Sequence, residues 1–235
     1  DSGGYAEEVL ARSSDCWRLP RSLTMEQGAA YPFAYGTSHV ALTRRARLAP
    51  GEVLLVHGAA GGVGLTAVEI GKALGATVVA TAGSDEKLET ARAHGADFCI
   101  NYHVENIRDR VRDLVGAVDV VYDPVGGDCF MQSLRCINPE GRMIVIGFAA
   151  GDIQQIPANL LLVKNVDVTG FYWGAYARQN PAVLCRSFAE LAQLADDGKI
   201  TPHVSHALPL ADAPAALDLL AARKSTGKVV LKVRD

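Results

Sequence analysis

Val53-Leu54-Leu55-Val56-His57-Gly58-Ala59-Ala60-Gly61-Gly62-Val63-Gly64 is a short apolar run that empties into a glycine turn, and a helix-forming stretch, 65–74, follows at once. Strand, glycine turn and helix in that order build a site for a dinucleotide diphosphate. Glycine lets the backbone turn tightly and approach the phosphates, while free N–H groups of the helix's first turn face their oxygens at the positive end of the dipole. In the G-x-G-x-x-G spacing Ala59 stands in the first place, with Gly61 and Gly64 in the second and third. A glycine triplet alone is weak evidence; the strand before it and the helix after it supply the context that the fingerprint needs.

Beyond the turn, apolar runs alternate with amphipathic stretches. Strands are expected at 77–81, 97–101, 118–122, 142–147 and 166–171, and helices at 85–94, 105–115, 129–136 and 181–197. The strands read as unbroken apolar runs rather than alternating ones, the pattern of parallel strands covered by helices on both faces. The fold class is therefore α/β, a doubly wound parallel sheet. The ends depart from this alternation. Residues 1–47 hold an extended start and helical stretches around 25–30 and 37–46, and residues 201–235 hold Pro202, Pro209 and Pro214, a helix at 210–222 and a strand at 228–233. We read 48–200 as the nucleotide domain and 1–47 and 201–235 as pieces of a second domain into which it is inserted. The chain opens on Asp1 with no initiator methionine, which reads as a start part-way through something longer.

Composition narrows the function classes. With 235 residues, 49% hydrophobic and 21% charged, the chain resembles an ordinary globular protein rather than a disordered one. A net charge of −3 gives no overall electrostatic reason to expect nucleic acid or an anionic membrane. No run of apolar residues is long enough for a membrane-spanning helix, and Asp1-Ser2-Gly3-Gly4 does not open a signal peptide. Five cysteines without C-x-x-C spacing read as reduced thiols, and hence as a cytoplasmic setting, a mitochondrial one remaining open.

The nucleotide is read at the tip of the second strand. NAD-type sites carry Asp or Glu there, about twenty residues past the glycines, to accept hydrogen bonds from the ribose hydroxyls. Here the tip is Thr81-Ala82-Gly83-Ser84, with no carboxylate to repel a 2′-phosphate. Ser84 can donate a hydrogen bond, Lys87 can supply a cation one turn along, and Tyr102 offers a phenol from the next strand's tip. These favour NADPH over NADH. Ordinary alternatives stand beside each: Ser84 as a helix N-cap, Lys87 as a solvated charge, Tyr102 as an edge aromatic. Asp85 and Glu86 lie close enough to weaken the preference.

At this point the chain resembles the quinone oxidoreductase group of medium-chain dehydrogenases/reductases, the zinc-independent group that includes zeta-crystallin. The likeness rests on the turn 59–64, on Thr81-Ala82-Gly83-Ser84-Asp85-Glu86-Lys87, on Ile100-Asn101-Tyr102, on Tyr122-Asp123-Pro124-Val125-Gly126-Gly127 and on Ser225-Thr226-Gly227-Lys228-Val229-Val230. It implies a Rossmann domain with the remnant of a GroES-like barrel, a homodimer joined through the edge strand at about 166–171, and NADPH as cofactor. Gly61 and the amides of Gly62 and Val63 would hold the diphosphate; Ser84, Lys87 and Tyr102 would hold the 2′-phosphate and adenosine ribose. Asp123, Pro124 and Val125 would stand beside that ribose, and Gly147 and Phe148 would approach the nicotinamide. Thr37 matches a threonine near the carboxamide, Phe171, Tyr172 and Trp173 match the segment that closes over the ring, and Lys228 or Arg223 would reach the phosphates. Each of the three aromatics is read equally as packing.

The implied reaction passes a hydride from NADPH to a quinone or enone without metal or flavin. No catalytic residue is assigned; Tyr35 and Tyr172 are the candidate proton donors, and solvent is the alternative. Relatives carry a further segment before the first residue here, forming most of the catalytic domain. Two other readings follow: a catalytically impaired NADPH-binding or partner-binding protein, and an enoyl or alkenal reductase. No zinc set in tetrahedral register is visible; His203 and His206, on a Pro-flanked loop, are the nearest approach to a pair.

Overall fold

The computed structural model describes residues 3–234, with the side chain of Ser14 also left undescribed. Asp1, Ser2 and Asp235, the extremes of the 1–47 and 201–235 segments and half of the Asp1–Gly4 opening, lie outside it.

Helix α1, Met25–Val40, starts at a capping box. Thr24 Oγ1 accepts from the Gln27 amide and the Gln27 side chain accepts from the Thr24 amide, so two end donors are satisfied reciprocally. Two separate helical stretches were expected here; instead one helix runs through Pro32 and ends in a π-turn at Ala41–Arg45. A mid-helix proline costs about 3 kcal/mol. The buried face of Tyr31, Ala34, Tyr35 and Ser38 outweighs that cost.

The alternation then proceeds as β1 Val53–Val56, α2 Gly62–Ala73, β2 Thr77–Ala82, α3 Asp85–Ala93, β3 Phe98–Asn101, α4 Ile107–Val115, β4 Val118–Asp123, α5 Gly127–Ser133 and β5 Ile137–Val145. After these come α6 Ala158–Lys164, β6 Asp167–Gly170, α7 Tyr176–Gln179, α8 Pro181–Asp196, β7 Val204–Pro209, α9 Ala213–Ala221 and β8 Lys228–Lys232. The first six strands form one parallel sheet in the order β3-β2-β1-β4-β5-β6. Successive strand residues face opposite sides. Leu54 and Val56 accordingly join α1, α2 and α8 in one core, and Leu55 joins Ile107, Val111 and Phe130 of α4 and α5 in the other. Because the order reverses between β1 and β4, a crevice opens outside their carboxyl ends, where doubly wound sheets bind ligands.

Several expected bounds move. β5 begins five residues earlier than read, since Asn138-Pro139-Glu140-Gly141 looks like a turn but forms the irregular start of the strand, with a register shift against β4. Its end falls at Val145, so Ile146 and Gly147 belong to the following loop. α6 and β7 were not anticipated: α6 has no buried residue to give it a periodic signal, and β7 lies between Pro202 and Pro209. His206 therefore sits on a strand that pairs in parallel with β8, not on a loop. α9 starts at Ala213 rather than at 210, after a 3₁₀ turn.

Candidate cofactor-binding site

Val56 hands the chain to His57, whose amide continues the sheet by donating to the Tyr122 carbonyl (3.1 Å). The His57 ring is fully buried between Thr81 Oγ1 (3.0 Å) and Ser133 Oγ (2.7 Å), and burial pushes its pKa down, so it is a neutral bracket joining β1, β2 and α5. Gly58 then takes φ +56° and turns the chain. At the helix start Gly61 provides no side-chain cap, so the first amides of α2 are left for another acceptor. Gly64 is required by packing: a Cβ there would lie 2.1 Å from the Gly58 carbonyl oxygen. Ser38 of α1 holds the same turn from below, bonding the Val63 carbonyl (2.9 Å) and meeting Thr66 and Tyr122 (2.8 Å each).

The second wall begins where β2 ends. Ser84 is the N-cap of α3, its hydroxyl accepting from the Lys87 amide (3.4 Å). The Lys87 ammonium donates to the Arg223 carbonyl (2.8 Å), and the Arg223 guanidinium donates to the Ala149 carbonyl (3.0 Å), which ties three segments across the cleft. Tyr102 stands beside them, its phenol pushed above the usual range by burial. The third wall follows β4. Asp123 is fully buried, and its Oδ1 accepts from the amides of Val125 and Gly126 (2.8 Å each) and so shapes the Pro124-Val125-Gly126 turn. Its Oδ2 has no partner among the described residues. The Gly227 amide donates to the Ala60 carbonyl (2.7 Å), and the Lys228 side chain passes over Gly62, 3.1 Å from where a Cβ would stand.

These walls enclose a cleft of about 560 Å³. Of the residues read from sequence, it brings together Gly61, Gly62, Val63, Lys87, Tyr102 and Val125, with Pro124 and Arg223. Ser84 supports the wall as the cap of α3 and Asp123 as the brace of the following turn, and Lys228 lies against Gly62 on the far side of the glycine turn. Gly147 and Phe148 precede Ala149 and Ala150, which line it. Thr37 does not reach it: its hydroxyl donates back to the Phe33 carbonyl (2.7 Å). Phe171, Tyr172 and Trp173 also lie away from the lining. Trp173 packs on Gly36, Phe33 and Phe188, Phe171 on Tyr176, and Tyr172 is largely exposed.

Lining residues that sequence reasoning missed include Asp128, Cys129 and Ser225. The signal for the first two was their position directly after the Tyr122–Gly127 motif. Cys129 is no nucleophile, since burial pushes its thiol up to about 11. Tyr35 is ruled out as a proton donor. Its buried hydroxyl is committed to Glu69, and burial, with that carboxylate beside it, raises its pKa far above the usual range.

A family model described as zinc-binding dehydrogenase matches residues 62–190. Among the described residues no three His, Cys, Asp or Glu side chains converge as a metal site requires, so the residues present do not fit zinc and no step is derived through it. No helix of the described residues is long and apolar enough to cross a membrane. Quinone oxidoreductase-like protein 2 of Bos taurus is 42% identical over 234 residues, covering 98% of this chain and 67% of that protein. The solved quinone oxidoreductase of Thermus thermophilus, whose description includes its complex with NADPH, superposes with a TM-score of 0.89 at 33% identity, over 98% of this chain and 74% of that one. The Escherichia coli quinone oxidoreductase complexed with NADPH gives 0.84 at 33% identity, over 93% and 68%. The chain spans about two thirds of the length of the curated relatives it matches. With this level of identity along nearly the whole chain, and with the fold those relatives share, the chain belongs to the quinone oxidoreductase family of medium-chain dehydrogenases/reductases.

Proposed function

We propose that the cleft binds NADPH and that the chain serves the reduction of a quinone or related enone, with neither metal nor flavin. One observation carries this reading: an uncapped helix start at Gly61–Gly64 faces the same cleft as a second-strand tip that has no carboxylate and is flanked by Lys87, Tyr102 and Arg223. The NADPH complexes of the Escherichia coli and Thermus thermophilus relatives support the choice of nucleotide.

In this reading the free amides of Gly62 and Val63 hold the diphosphate, with Lys228 or Arg223 as counter-charge. Ser84, Lys87 and Tyr102 hold the 2′-phosphate end, and the Asp123-shaped turn through Val125 forms the wall beside the ribose. Gly147 and Phe148 lead toward the nicotinamide end. When bound, NADPH supplies the hydride. The chain's own contribution is orientation and exclusion of water, which can account for a large share of such a rate. With Tyr35 committed to Glu69 and Tyr172 exposed away from the cleft lining, solvent protonates the product oxygen. We read 48–200 as the nucleotide domain, 1–47 and 201–235 as parts of the catalytic domain, and the open edge of β6 as the dimer contact.

The test is the thermal midpoint with NADPH and with NADH. A ligand that binds only the folded chain at a hundred times its Kd adds about 2.7 kcal/mol. A larger rise with NADPH is expected; an equal or larger rise with NADH, or no rise with either, overturns the assignment.

A further inference from the structure

A Cβ added to Gly83, just past the end of β2, would stand 2.8 Å from Nε2 of His103 and 3.0 Å from the hydroxyl oxygen of Tyr102. At this tip an NAD-type site places the acidic side chain that accepts from the ribose hydroxyls. Here the corresponding space is taken from the next crossover by an imidazole and a phenol. The two rings meet edge to face with centroids 4.9 Å apart.

The position of His103 is fixed by its backbone. Its amide donates to Asn101 Oδ1 (3.2 Å), and the Asn101 side-chain amide donates in turn to Asp85 Oδ1 (2.8 Å) at the start of α3. The imidazole itself is exposed, and neither ring nitrogen is hydrogen-bonded to another described residue. Gly83, Lys87, Tyr102 and Arg223 all line the cleft at this end.

We propose that His103 is a specificity-determining residue of the cofactor site, donating from its ring to the 2′-phosphate of NADPH beside Tyr102 and Lys87. This rests on the reading of the cleft as an NADPH site. In either tautomer an imidazole carries a ring N–H, so the ring can donate to a phosphate oxygen. The charged and titratable groups around it are Lys87 and Asp85 on α3, Glu105 paired with Arg110 behind the turn, Tyr102, and Arg223, Asp128 and Cys129 on the cleft wall. Asp85, Glu105 and Asp128 are already engaged by Asn101, Arg110 and Gln132, so an arriving phosphate is the anion left for the ring to meet.

The experiment is a titration of the chain and of its His103→Ala and His103→Lys variants with NADPH and NADH at about pH 7.5. It reads the ratio Kd(NADH)/Kd(NADPH). Relative to His103→Ala, the wild-type ratio is expected to be about five- to tenfold higher. His103→Lys should hold a ratio at least as high as the wild type. Equal ratios in wild type and His103→Ala would overturn the role of His103 while leaving NADPH as the cofactor. A wild-type ratio at or below one would instead overturn the NADPH reading, and this proposal with it.

Discussion

The hydroxyl of Tyr35, on α1, donates to the carboxylate of Glu69, on α2, and both side chains are buried. Glu69 also receives the His94 ring (2.7 Å) and the Thr201 amide (3.2 Å), so one carboxylate gathers α1, the end of α3 and the segment that leads into β7. Tyr35→Phe removes one donor and leaves part of that charge uncompensated, at a cost of about 1–3 kcal/mol. Denaturant unfolding should show the loss. The affinity for NADPH should stay within about twofold, because Tyr35 lies off the cleft; a loss of affinity without loss of stability would mean that Tyr35 touches the ligand.

Gly64→Ala should be far worse than Gly62→Ala, although the two glycines share a turn. The added methyl of the first meets the Gly58 carbonyl oxygen at 2.1 Å, a backbone atom that cannot give; that of the second meets the flexible Lys228 Cδ at 3.1 Å. Overpacking costs about 1–3 kcal/mol where the structure can relax, and Gly64→Ala is expected at or beyond the upper end, with NADPH binding weakened at least tenfold. Gly62→Ala should stay within about 1 kcal/mol, since alanine is the better helix former. Comparable thermal midpoints for the two variants would show that the helix does not pack on the turn as described.

The turn was legible in the chain because its chemistry is local: strand, glycine spacing and helix follow one another within a dozen residues. The parallel sheet was legible for a similar reason, since cover on both faces leaves its strands as plain apolar runs such as Val53–Val56. Prolines misled where packing or strand pairing carried an element through or up to them. Pro32 hid the continuity of α1, Pro139 the start of β5, and Pro202 with Pro209, its last residue, the strand β7. His103 and Asp128 carry no motif of their own. Only the approach of neighbouring crossovers sets the His103 ring against Gly83 at the end of β2 and brings Asp128 to the cleft lining. Thr37 and Trp173 were read as cofactor contacts by resemblance, yet within the described residues the Thr37 hydroxyl bonds back within α1 and Trp173 packs on Phe33 of α1 and Phe188 of α8.

Lys87→Glu tests the 2′-phosphate end directly. The ammonium lies on the cleft, held at the Arg223 carbonyl (2.8 Å), and a reversed charge there would face the phosphate while releasing that contact. Hydrogen bonds to charged groups are worth about 1.5–3 kcal/mol, so the Kd for NADPH should rise at least about tenfold. NADH, which has no phosphate at that position, should change by less than about threefold. An equal loss for both nucleotides would point to damage to the cleft rather than to recognition.

His39 makes stability depend on pH. Its ring is buried, with Nδ1 at Ser187 Oγ (2.9 Å) and Nε2 at Glu190 Oε2 (3.3 Å), and burial lowers its pKa to about 4. At neutral pH it is uncharged, and the contact with Glu190 is a hydrogen bond rather than an ion pair. In the unfolded chain the same ring takes a proton near its ordinary 6.5. Between that value and about 4 the unfolded state binds the extra proton, so acidification favours unfolding. The contribution is complete above about 6.5 and is lost progressively as the pH falls to about 4. His57, buried between Thr81 and Ser133, adds in the same direction. Below these windows protonation of Glu52, held low by its bonds to Arg142, takes over. Urea midpoints at pH 7, 5.5 and 4.5 should therefore fall steadily. His39→Gln should start lower and fall less steeply, because it has no proton to gain; a slope identical to that of the wild type would show that His39 is already protonated in the folded chain.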